Sequence, residues 1–140
     1  MSWSTVSGLL DGHLSAFATA QSLAVAWENR AFTPPDAAYL RPHFLPATTR
    51  AAGLGSEAQD LQRGVYQVDV LGLPGKGRGA VFGLGDALRA HFRRGMTLTS
   101  GTMTDAKVVI ETAAMGPEME EATRYKRPVS ITFRAYMDPA

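Results

Sequence analysis

The stretch 128–136 alternates without a break: Val129, Ile131, Phe133 and Ala135 take one side, and Ser130, Thr132, Arg134 and Tyr136 take the other. Successive side chains of a β-strand point to opposite faces, so this stretch belongs in a sheet with one face buried and the other wet. Residues 65–71 repeat the pattern, with Tyr66, Val68 and Val70 on one face and Gln67 and Asp69 on the other. A chain with two such strands needs other elements to cover the apolar face.

Two helices are predicted. Over 4–20, Val6, Leu9, Leu10, His13 and Phe17 recur at helical spacing, although Gly8 and Gly12 each lower helix propensity by roughly 1 kcal/mol. A second stripe runs through Val81, Leu84, Leu88 and Phe92. Arg89, Arg93 and Arg94 fall where cations favour the helix dipole, and Gly95 is the expected stop.

The other segments read as strands and connections. Leu23, Val25 and Trp27 alternate with Ala24, Ala26 and Glu28, and Thr33-Pro34-Pro35-Asp36 is a turn. Residues 39–46 form a strand that Pro42 and Pro46 confine to a sheet edge. The polar stretch 47–62, with Gly53 and Gly55, is expected to be a long excursion, and such loops are often functional. Further strands are expected over 96–99, before a Ser100-Gly101 turn, and over 107–113; residues 115–127 expose Glu118, Glu120 and Glu121. The order is helix, three strands, helix, three strands. Strands that do not alternate with helices disfavour a doubly wound sheet. The expected class is α+β: two helices on one face of a mostly antiparallel, mixed sheet of about five to six strands, in one domain over 1–140.

Composition narrows the function. A chain of 140 residues with 45% hydrophobic residues can bury a core as one domain. With 14 basic and 13 acidic side chains the net charge is +1, so nucleic acid is not expected as the main partner. The absence of cysteine excludes disulfides, cysteine-ligated zinc and thiol nucleophiles. No run reaches the roughly 18 apolar residues of a spanning helix, and residues 1–11 lack the pattern of a secretory signal. No membrane partner is expected, and the protein is expected to be made and used in the cytoplasm or in something assembled there.

A search for chemistry finds little. His13, His43 and His91 have no metal-site spacing and no acidic neighbour in sequence. No serine lies in a nucleophile motif, and Glu111, Glu118, Glu120 and Glu121 read as solvated acids. Gly75-Lys76-Gly77-Arg78-Gly79 precedes a helix, as a phosphate cradle would. But Lys76 comes too early for a P-loop, no hydroxyl follows it, and only the loose Gly75, Gly77, Ala80 spacing approaches a dinucleotide motif. No cofactor, metal or catalytic residue is therefore expected, and the loop reads as a basic assembly contact. A pocket gathering His13, His91 and an acid would favour an enzyme instead.

Several phrases together resemble the phage tail terminator family: Ala26-Trp27-Glu28-Asn29 with Phe32 and Pro34; Arg63-Gly64-Val65-Tyr66-Gln67-Val68-Asp69-Val70; the glycine-rich loop leading to Asp86, Leu88 and Phe92; and Arg127 through Tyr136. The resemblance implies a small α+β protein that forms a hexameric ring. The ring caps the growing tail tube, ends its polymerisation and offers a surface for head–tail joining. Its implied partners are further copies of itself, the major tail tube protein and the head–tail connector protein, in the virion tail. No catalytic residues go with that role. Lys76, Arg78, Arg63 and Arg50 are the candidate interface residues. Another head–tail completion or tail-tube subunit, or a small enzyme whose site assembles only in three dimensions, are the alternatives.

Overall fold

A computed structural model describes residues 3–55, 58–99, 106–121 and 124–137; the side chains of Ala106, Glu120, Glu121 and Met137 are not among the described features. Helix α1 spans Trp3–Gln21 and α2 spans Gly79–His91. The strands are β1 (Ala24–Val25), β2 (Tyr39–Ala51), β3 (Asp60–Gly72), β4 (Thr97–Thr99), β5 (Ala106–Met115), β6 (Met119–Glu121) and β7 (Arg124–Met137). They form one mixed sheet in the order β1-β2-β3-β7-β5-β4, with β6 paired to β7. Only β1 and β2 run parallel; every other described pair is antiparallel.

The core lies between the two helices and one face of this sheet. Val6, Leu10, Leu14 and Phe17 of α1 meet Val81 and Leu88 of α2 and Phe92 just beyond it. From the sheet come Tyr66, Val68 and Val70, Val129, Ile131, Phe133 and Ala135, and Val108 and Ile110. The two alternating stretches thus bury the faces expected of them. Where α2 crosses the sheet, Gly85 is buried and a Cβ there would meet the methyl end of Met115.

A second, smaller cluster covers one end of the opposite, open face. Ala26 and Phe32 pack on Tyr39 and Leu71. Arg124 ties the connection down, bonding Ala37 O at 2.7 Å and Pro35 O while its guanidinium lies 5.1 Å from the centre of the Tyr39 ring.

Both long edges of the sheet are partly blocked. Ala26 N–H donates to Leu40 O, and Phe44 N–H donates to the Glu28 carboxylate, so the even-numbered groups of β2 face away from β3. By alternation Pro42 and Pro46 face the same way and have no N–H to offer. On the far side, Arg89 of α2 donates to Ala113 O of β5 at 2.8 Å. Blocking donors and acceptors in this way limits strand addition from outside.

The sequence expectations need several corrections. The strand expected from Leu23 to Trp27 is only two residues long. The excursion expected over 47–62 is instead the distal half of a hairpin, because β2 runs on to Ala51 and pairs with Asp60–Arg63 past a bulge at Ala47. Gly53 and Gly55 make only its turn. The exposed stretch expected over 115–127 contains β6 and the start of β7. Helix α2 ends at His91, four residues before Gly95. The Ser100-Gly101 turn lies outside the described residues.

Candidate functional site

A groove of about 810 Å³ lies between α1 and β2. Ser7, Asp11 and Ser15 line it from the helix, Pro42, Phe44 and Pro46 from the strand, and Trp27, Glu28 and Arg30 from the connection. The Tyr66 hydroxyl donates to Asp11 Oδ1 at 2.5 Å. Burial holds the Asp11 carboxyl above its ordinary value; the Tyr66 bond opposes this and the nearby Glu28 charge adds to it. Burial and the bond to Asp11 push the Tyr66 hydroxyl far up, so it stays a donor. The groove therefore holds two carboxylates and one guanidinium against apolar walls.

His13 and His91, far apart in sequence, do meet. Their rings stack at 3.8 Å, and each Nε2–H donates to the other's backbone carbonyl at 2.7 Å. Burial lowers the basicity of His13, and the neighbouring His91 and Arg93 lower it further. With both Nε2 atoms committed to carbonyls, the pair is a clasp between α1 and α2. Neither ring lines the groove, and among the described residues no group of three or more His, Asp or Glu could hold a metal ion. Of the arrangement that would have favoured an enzyme, His13 and His91 do meet, but outside the groove and, among the described residues, with no acid bonded to them.

The acid that finds a histidine is Asp69, which is fully buried on the open face. Its Oδ2 lies 3.0 Å from His43 Nε2, 3.5 Å from Arg41 and 3.7 Å from Lys126, and Gln67 donates to its Oδ1 at 2.9 Å. A buried carboxylate needs such partners, because removing it from water unpaired is costly. Sequence reasoning missed this cluster, as it missed Asp11 and Glu28. Its members come from three strands, and only the register brings them together.

The four candidate interface residues occupy two places. Lys76 and Arg78 lie exposed in the turn between β3 and α2, where Gly75 and Gly77 adopt positive φ of 74° and 72°. Arg78 precedes α2 directly, and its guanidinium stands 5.8 Å from the Phe82 ring centre. Arg50 and Arg63 lie exposed on β2 and β3, opposite Leu61 and Thr48. Paired residues of an antiparallel ladder share a face. Arg63 lies an even number of residues from Asp69 along β3, so both arginines project from the open face of the sheet.

These features define a class: an α+β protein whose two helices cover one face of a mixed sheet and whose other face presents charge. A family model described as phage tail terminator protein matches residues 5–133. The chain belongs to that family, which supports a structural role related to the phage tail. A solved structure resembles it with a TM-score of 0.78 at 28% identity, covering 100% of this chain and 99% of that one. No curated protein matches the chain.

Proposed function

We propose that this protein terminates a phage tail. All of 1–140 acts as one domain, and identical copies close into a hexameric ring on the growing tube. The ring ends polymerisation of the major tail tube protein and offers its other surface to the head–tail connector. Assembly takes place in the host cytoplasm and the product stays in the virion tail. The observation that carries this reading is the family match across residues 5–133, nearly the whole chain. The blocked sheet edges support it, since a protein that ends a polymer must not itself template further strands. Lys76 and Arg78 serve as contacts to an acidic partner surface.

The test is a phage with a nonsense codon in this gene, examined by electron microscopy. Tails of uncontrolled length without heads are expected. Normal tails joined to heads would overturn the reading.

A further inference from the structure

The open face carries two groups of basic side chains. Arg41, His43 and Lys126 surround the buried Asp69. The second group appears only when the ladder registers are read across the strands. One row runs Arg50, Leu61, Tyr136, Lys107, and the next runs Thr48, Arg63, Arg134, Val109. Four cations from four strands thus share one patch. Glu111, 3.8 Å from Arg134, is the acid paired with it among the described residues. Arg50, Arg63 and Lys107 are exposed, with no ion-pair or hydrogen-bond partner among the described residues.

This arrangement works against the fold's own stability. Arg63 sits directly opposite Arg134 in the register, and like charges facing each other across a ladder destabilise a sheet. Departures from the locally best choice concentrate at functional sites. The patch offers little apolar surface to a protein partner: Leu61 and Val109, the large aliphatic residues of the two rows, are buried, and Tyr136 is half-buried. Protein interfaces draw most of their affinity from a few residues, Trp, Tyr and Arg above all, set in a well-packed apolar core. In the two rows these cations have no such exposed apolar surround. The rows offer guanidinium, ammonium and hydroxyl groups on a sheet face, from Arg50, Arg63, Lys107, Arg134, Thr48 and Tyr136. Such a surface suits a row of phosphates, which are held by charge and donors without base readout.

We infer that this face of the sheet contacts the phosphate backbone of nucleic acid, weakly and without sequence preference. The near-zero net charge of the chain hides the patch, because its members are spread from position 50 to position 134.

Fluorescence anisotropy with a labelled duplex DNA of random sequence, at rising salt, tests it. The intact protein should bind at low salt, with log affinity falling against log salt at a slope of roughly −3, for three to four phosphate contacts. Arg50→Glu with Arg63→Glu should lower the low-salt affinity at least roughly ten-fold and flatten the slope by about two. Lys76→Glu with Arg78→Glu makes the same change in net charge on a different surface and should leave both values nearly unchanged. Circular dichroism should show all three proteins folded, since every substituted side chain is exposed. No binding by the intact protein at low salt overturns the inference, as does equal loss in both double variants, which would trace binding to net charge alone. Either result leaves the tail-terminating role standing, because tail length in the phage is measured separately.

Discussion

Gly64 and Phe133 face each other across β3 and β7, and the pair shows how one residue's absence of a side chain sets another's place. The Phe133 ring is fully buried and stacks on Phe44 at 5.7 Å. A Cβ at position 64 would lie 2.8 Å from Phe133 Cζ and 2.8 Å from the Leu45 carbonyl oxygen. The ring can turn slightly, but the carbonyl belongs to a paired strand and cannot. Gly64→Ala should therefore cost about 1–3 kcal/mol, the usual scale of overpacking. Phe133→Ala removes the ring and leaves a void, at about 3–5 kcal/mol. Urea unfolding measures both. A Gly64→Ala protein as stable as the parent would mean that β2 shifts freely at its bulge, and a mild Phe133→Ala would mean that the core collapses into the void.

At the level of elements, the two helices are joined to each other as well as to the sheet. The stacked His13 and His91 hold α1 to α2 through two reciprocal bonds to backbone carbonyls. Burial lowers His13 from its ordinary value of 6.5. Just below that value the unfolded chain takes up a proton that the folded chain refuses. This part of the stability is complete above 6.5 and is lost as pH falls through the folded value. His13→Gln keeps an amide donor for His91 O but cannot titrate. Its urea midpoint should fall less than the parent's on mild acidification, and parallel pH profiles would rule out His13 as the source. The stripes that place these helices were legible in the sequence, since Val6, Leu10, Phe17, Val81, Leu88 and Phe92 follow simple periodicity. The clasp was not, because nothing local marks His13 and His91 as partners. The distal hairpin was missed for a related reason. Residues 45–55 are exposed throughout, so they carry no alternating apolar signal, and it is pairing with β3 that makes them strand. Asp69 could be read as outward-facing, but its burial depends on cations brought by two neighbouring strands.

For the whole molecule, the question is which surfaces join it to others without affecting its fold. The turn holding Lys76 and Arg78 is suited to that separation. Residues 74–80 are exposed, and Gly75 and Gly77 take positive φ that a side chain would strain, so glycine shapes the turn and leaves its cations at the surface. Exposed charges add little to stability, and Lys76 lies outside every described ion pair. Arg78 lies near the Phe82 ring, a contact worth roughly 0.5–1 kcal/mol at an exposed site. Lys76→Glu with Arg78→Glu should therefore lower the melting temperature by only a few degrees at most. If these cations meet an acidic surface on a neighbouring copy or on the tube, reversing them places like charges together and costs several kcal/mol of association. The same variant, supplied to a phage lacking the gene, should then yield tails of uncontrolled length although the protein is folded. Normal tails would remove this turn from the interface. A large drop in melting temperature would show that the two cations act within the fold.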